Sequence, residues 1–200
     1  LQHSDAKAFI VDRQFHKVAK KALEGLSKKI LVIDINDTQA ELQTVEKIGE
    51  LEYENFLNEG NENCIWKKPQ DEWQAISLNY TSGTTGNPKG VVCHHRGSYL
   101  MSTGSAVAWN MPNRLTFLCI VPMFHCNGWC YPWTLAMLNA KVICLRNVVA
   151  KDIFNLINEH EVSHFGGAPI VLNMLTNAPK ENQKPLKNKV YVLTAGAPPP

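Results

Sequence analysis

Tyr80-Thr81-Ser82-Gly83-Thr84-Thr85-Gly86-Asn87-Pro88-Lys89-Gly90 is the stretch from which the rest of this chain can be read. Its glycines let the backbone bend until successive N–H groups converge on an anion. The hydroxyls of Thr81, Ser82, Thr84 and Thr85 add donors, and Lys89 adds a mobile positive charge. Ten consecutive residues of this kind are more than a surface turn requires, and they describe a cradle for a polyphosphate.

The pattern is not the kinase and GTPase loop G-x-x-x-x-G-K-[ST]. Pro88 stands where that loop has its second glycine and offers no N–H, and Gly90 stands where it has the magnesium-binding hydroxyl. Working outward, Ile76, Leu78 and Tyr80 alternate as a strand leading into the loop, and Val91-Val92-Cys93 forms a short strand leaving it. A helix is expected over 96–109. Strands then follow at 115–121, 142–145, 162–165 and 190–194, with helices at 129–138, 151–160 and 170–177. Upstream, Ala8-Phe9-Ile10-Val11 and Lys29-Ile30-Leu31-Val32-Ile33 read as buried strands. Phe15, Val18, Ala19, Ala22, Leu23 and Leu26 recur between them at helical spacing, which makes a β-α-β unit. Residues 35–73 are acidic and less regular, with a helix expected near 53–57. Strands alternating with helices predict an α/β fold of layered, largely parallel sheets flanked by helices, with ligands at the carboxyl ends of the strands. The loops at 80–90, 122–128, 166–169 and 196–198 follow strands and are expected to line one cleft.

The 200 residues are 44% hydrophobic, enough for a packed core. The net charge of +2 hides an asymmetry. Residues 1–73 carry 10 Lys/Arg against 14 Asp/Glu, and residues 74–200 carry 10 against 4. A basic half around the phosphate cradle suits ATP or coenzyme A. Nucleic acid is not expected, because the basic residues are scattered with no basic run or interleaved aromatics. The six cysteines include no C-x-x-C pair, so free thiols in a reducing compartment are expected. His125, Cys126 and Cys130 lack a second ligand pair at zinc spacing, and no metal site is expected from these residues. No apolar run approaches membrane-spanning length.

The residues from Tyr80 to Gly90 resemble the [YF]-T-S-G-[ST]-T-G-x-P-K-G signature of the adenylate-forming superfamily of AMP-dependent synthetases and ligases. Pro122-Met123-Phe124-His125-Cys126-Asn127-Gly128 resembles that superfamily's P-x-F-H-x-x-G segment. Thr194-Ala195-Gly196-Ala197-Pro198-Pro199 resembles the strand and loop that pack on adenine. The wording of 122–133 and of 167–175 is most similar to short- and medium-chain acyl-CoA synthetases. The resemblance covers the whole chain and implies part of the large N-terminal AMP-binding domain, over residues 1–200.

What the resemblance implies is a two-step ligase. A carboxylate attacks the α-phosphate of ATP to give an acyl-adenylate and pyrophosphate, and coenzyme A then displaces AMP. Thr81, Ser82, Gly83, Thr84, Thr85, Gly86 and Lys89 would hold the phosphates. His125 would sit where the carboxylate meets the α-phosphate, as a catalytic residue with Lys89. Gly196, Ala197 and Pro198 would lie against adenine. Trp129 and Trp133, four apart, would either narrow an acyl tunnel or pack in the core, and Gly167 and Ala168 would line the same tunnel. His94 and His95 are expected to be structural. The runners-up are an aryl-CoA ligase or other adenylating enzyme, and a non-catalytic nucleotide-binding module. A cytoplasmic location is expected, or a peroxisomal one in a eukaryote.

Leu1 in place of Met, and Pro198-Pro199-Pro200 directly after a strand-like segment, mark the chain as an internal fragment in this reading. The family's magnesium-holding glutamate, its ribose-gripping acid and its C-terminal lysine would then lie beyond Pro200. The 200-residue polypeptide alone is accordingly expected to release no pyrophosphate above background from ATP and a panel of carboxylic acids. Robust acyl-CoA formation by that purified piece would overturn the assignment of essential parts downstream.

Overall fold

The computed structural model describes residues 1–38, 40, 45–82 and 86–198. The chain divides into two compact units, Leu1–Lys68 and Pro69–Pro200.

In the first unit, β1 (Ala8–Asp12) runs through a single 3-10 turn (Arg13–Phe15) into α1 (His16–Glu24) and then β2 (Leu31–Ile35). A two-residue β3 (Leu51–Glu52), which the periodicity does not show, leads directly into α2 (Tyr53–Asn58). The three strands pair in parallel in the order β1-β2-β3. The Glu52 side chain caps α2 by accepting from the N–H groups of Glu54 and Asn55. Asp34 on β2 is fully buried, a costly position for a charge unless it is paired. Arg13 supplies the partner, its Nε 2.6 Å from Asp34 Oδ2, and the Ile48 N–H donates to the same oxygen at 3.3 Å.

The second unit opens with β4 (Ala75–Thr81) and β5 (Lys89–His94), which pair antiparallel with Tyr80 opposite Gly90 and Thr81 opposite Lys89. The phosphate-cradle stretch therefore closes a hairpin, where the β/α alternation suggested a strand of a parallel sheet. The reason lies in chain length. A parallel pair needs a crossover of a dozen or more residues, and only 82–88 separate these strands.

After the hairpin come α3 (His95–Ala108), β6 (Thr116–Cys119), a short turn of helix α4 (Cys126–Trp129), α5 (Tyr131–Met137), β7 (Lys141–Cys144), α6 (Ala150–His160), β8 (His164–Gly166), α7 (Pro169–Thr176) and β9 (Tyr191–Leu193). The last four strands named form one wholly parallel sheet in the order β7-β6-β8-β9. His94 caps α3, its Nδ1 accepting from the Gly97 N–H at 3.0 Å, while its ring lies 4.7 Å from that of Trp73. These contacts are structural, as expected of His94, but the residue also lines a cavity that Thr81 and His125 share.

β6 organises the core because both of its faces are covered. Phe117 belongs to one cluster with Leu115, Val121, Tyr131, Leu135 and Leu138, and the next residue, Leu118, belongs to another with Ile153, Ile157, Val162 and Phe165. Alternate side chains of a strand point to opposite faces, so consecutive apolar residues here serve two layers. In the first layer Tyr131 is 1% exposed and its ring packs 4.6 Å from Phe117. A Cβ on Gly166 would stand 2.6 Å from Tyr131 Cε2, so the Tyr131 ring occupies the space that a side chain would need. The buried Tyr131 hydroxyl has no hydrogen-bond partner, and its burial drives the phenol above its ordinary pKa.

Gly166→Ala is expected to destabilise the protein by about 1–3 kcal/mol through overpacking. Tyr131→Phe, which removes an unsatisfied hydroxyl, should leave stability within about 1 kcal/mol of the parent or raise it. Urea denaturation of both variants checks the pair, and a large loss for Tyr131→Phe would contradict the packing described.

Candidate active site

The hairpin, the start of α3 and the segment after β6 enclose a cavity of about 570 Å³. Thr81 and Asn79 line it from β4, Gly97 and Ser98 from α3, and His125 and Trp129 from the segment after β6, while Ala195 reaches it from the loop after β9. The walls are mostly apolar, with Val91, Val92, Met101 and Trp109 among them. Among the described residues, no Asp or Glu lines the cavity. The polar groups that do line it are hydroxyls, amides, thiols and imidazoles, with no carboxylate for magnesium among the described residues.

Of the residues singled out in the sequence, Thr81, His125 and Trp129 meet in this cavity. Lys89 is directly across the hairpin from Thr81 and is exposed. Ser82 and Gly86 flank the stretch 83–85, and Gly83, Thr84 and Thr85 lie outside the described residues. Gly196 follows the cavity-lining Ala195 with a φ of +96°, a conformation that favours glycine. Ala197 and Pro198 come next and do not line the cavity, nor do Gly167 and Ala168. Gly167 instead donates its N–H to Leu193 O at 2.9 Å and ties the end of β8 to β9.

The segment carrying His125 has an unusual backbone. Cys126, Asn127, Gly128, Trp129 and Cys130 all have positive φ, from 45° to 60°. α4 is therefore a single left-handed turn, closed by Gly128 N–H to His125 O at 2.8 Å and Cys130 N–H to Asn127 O at 3.1 Å. A right-handed helix over 129–138 was expected, but it begins only at Tyr131, and Trp129 does not share a helical face with Trp133. Left-handed backbone costs an L-residue about 1–2 kcal/mol, less for Asn, so contacts around the turn must hold it.

Two sets of contacts do so. Asn127 Oδ1 accepts from Ser77 Oγ at 2.8 Å and from Asn79 Nδ2 at 2.8 Å, both on β4. At the other end, the hydroxyl of fully buried Thr134 lies 3.1 Å from Ser102 O and 3.2 Å from Cys130 O. Trp129 packs on the aromatic cluster, its ring centroid 6.1 Å from that of Tyr131. Cys130 is buried beside these groups, and desolvation pushes its thiol pKa up. All six cysteines are free thiols. Among the described residues, no group of three or more His, Cys, Asp or Glu is arranged to hold a metal ion. Ser77, Asn79 and Asn127 carry no role in the sequence expectations, although Asn127 lies within the 122–128 segment. The available signals were the Asn-Gly pair at 127–128, which favours left-handed backbone, and two polar residues at alternate positions of an otherwise apolar strand.

Solved structures of similar architecture are adenylate-forming enzymes. The N-terminal domain of FACL13 from Mycobacterium tuberculosis superposes with a TM-score of 0.75 at 21% identity, over 100% of this chain and 47% of that one. O-succinylbenzoate coenzyme A synthetase from Bacillus subtilis, in complex with ATP and magnesium ion, gives 0.65 at 21% identity, over 99% and 46%. These likenesses establish the fold. The chain belongs to the AMP-binding enzyme family, which it matches over residues 1–200. Among curated relatives it is 44% identical to a peroxisomal acetate/butyrate–CoA ligase of Arabidopsis thaliana and 47% identical to an acetate–CoA ligase of Humulus lupulus. Both matches take in 100% of this chain and 37% of the relative, so the chain spans just over a third of their length. Among the described residues, no helix is long and apolar enough to cross a membrane.

Thr134→Val keeps the side-chain shape and removes a buried hydroxyl placed between Ser102 O and Cys130 O, while Cys130 O still accepts from the Trp133 and Thr134 N–H groups. It is expected to cost about 0.5–1.5 kcal/mol, the net contribution of one buried hydrogen bond. Chemical denaturation monitored by tryptophan fluorescence measures it, and a neutral result would show that the turn is held by other contacts.

Proposed function

We propose that this chain is part of the N-terminal AMP-binding domain of an ATP-dependent acid–CoA ligase acting on a short- or medium-chain fatty acid. The observation that carries the reading is the single cavity into which Thr81 of the phosphate hairpin, His125 of the left-handed turn and Ala195 beside the adenine-loop glycine all open. ATP would lie with its β- and γ-phosphates at the 81–89 hairpin and its adenine near 196–198, which leaves the α-phosphate facing His125. The acid would enter against the apolar wall, where half-buried Trp129 limits the room for a long chain.

In this reading no protein nucleophile is needed. The carboxylate oxygen bonds to the α-phosphorus, and the bond from that phosphorus to the bridging oxygen breaks as pyrophosphate leaves. The coenzyme A sulfur then bonds to the acyl carbon and AMP departs. The protein contributes alignment and charge stabilisation. His125 orients the carboxylate, the hairpin amides and hydroxyls receive the developing charge, and Lys89 offsets the pyrophosphate. Magnesium would assist by drawing charge from the phosphates, although among the described residues the cavity lining offers it no carboxylate. The acetate and butyrate in the relatives' names support the short-chain choice, and the peroxisomal relative supports the peroxisome over the cytoplasm as the location.

The full-length protein is expected to release pyrophosphate with acids of two to eight or so carbons in preference to aromatic acids. Lys89→Ala should slow adenylation about 10–100-fold, while thioester formation from supplied acyl-adenylate changes little. Equal losses in both half-reactions would contradict the role given to Lys89. No acid-dependent release with any acid would favour a nucleotide-binding module over a ligase.

A further inference from the structure

The strand feeding the phosphate hairpin and the turn carrying His125 are joined through one atom. Asn127 Oδ1 receives both Ser77 Oγ and Asn79 Nδ2, each at 2.8 Å. A carboxamide oxygen has two lone pairs, so these two donors saturate it. Ser77 and Asn79 are alternate residues of β4 and share one face of the strand, with their backbones about 7 Å apart. Two donors bracketing one acceptor from either side along a strand fix more than a distance. Sliding the turn along β4 in either direction stretches one bond or the other.

Asparagine suits this position on several grounds. It must adopt a φ of +48°, which Asn tolerates better than most residues. Its side chain carries a neutral double acceptor on a short stem, and Gln would overreach. The next residue, Gly128, is buried with a φ of +58°, so the left-handed backbone that Asn127 adopts is continued by a residue that tolerates it. His125 is two residues upstream and Trp129 two downstream, and both face the cavity.

We propose that Asn127 is a positioning residue that locks the His125–Trp129 turn in register with β4, and so aligns the acid-binding wall with the phosphate hairpin for the adenylation step. The proposal rests on the ligase reading for its catalytic consequence, and on the hydrogen bonds alone for the lock itself. Ser77 is the cleanest probe because it makes the bond without lining the cavity.

In the full-length enzyme, hydrogen exchange in a peptide spanning 122–131 is expected to speed up about tenfold in Asn127→Leu and about threefold in Ser77→Ala, with protection restored in Ser77→Thr. kcat for acid-dependent pyrophosphate release should fall about 10–100-fold in Asn127→Leu, with KM for ATP within about twofold of the parent. Ser77→Ala should add nothing to the loss in Asn127→Leu, because both break one lock. Unchanged exchange in Asn127→Leu would overturn the lock whatever the activity. Faster exchange with unchanged kcat would overturn the positioning role and leave a purely structural contact. A parent enzyme inactive toward every acid would overturn the ligase reading, and the exchange measurements would still decide the lock.

Discussion

One carboxamide oxygen shared by two donors is the constraint on which the cavity depends. The hairpin and the left-handed turn come from separate stretches of sequence, some fifty residues apart at their point of contact. Neither would keep its place alone. A two-stranded hairpin is marginal without a third strand or a packed face, and a run of left-handed residues opposes the intrinsic preference of L-amino acids. Asn127 joins the two, and the Thr134 hydroxyl and the Trp129–Tyr131 aromatic contact hold the turn from the opposite side. The cavity walls are thus two locally unfavourable pieces held by a few specific contacts, mounted on a parallel sheet whose β6 is covered on both faces.

Below that layer the energetics are ordinary. Phe117 and Leu118 each fill a separate apolar cluster, and burying such side chains contributes about 1.5–3 kcal/mol apiece. That core is stiff enough to carry strain in a loop at its edge, a common arrangement where a site must be set before its ligand arrives. Gly166 and Tyr131 extend the same logic to the end of β8, where the absence of one methyl group makes room for a whole ring.

Most of the elements were legible in the sequence because their apolar residues recur at strand or helix spacing, from Ala8 on β1 to Leu193 on β9. The expected helices match α1, α2, α3, α6 and α7 closely. Besides the two-residue β3, two features were not legible. The antiparallel sense of β4 and β5 is set by the brevity of the connection, and hydrophobic periodicity does not register it. The handedness of α4 depends on tertiary contacts from Ser77, Asn79 and Thr134, none of them local to residues 126–130. Thr81 and His125, which line one cavity, are singled out by their motifs, whereas Trp129 is open in the sequence between an acyl tunnel and the core. Asn127 is not singled out, because its importance comes from partners on a different element.

The hand of that turn also limits how such a site can diversify. In a left-handed turn the side chains fan around the axis in the opposite rotational order from an ordinary helix, so the positions that face the cavity are set by chirality as well as by spacing. Lengthening or shortening the segment by one residue would turn Trp129 away from the wall and pull Asn127 off β4. A cavity of different size would therefore be reached by exchanging side chains on a fixed backbone, and indels in this segment would be selected against.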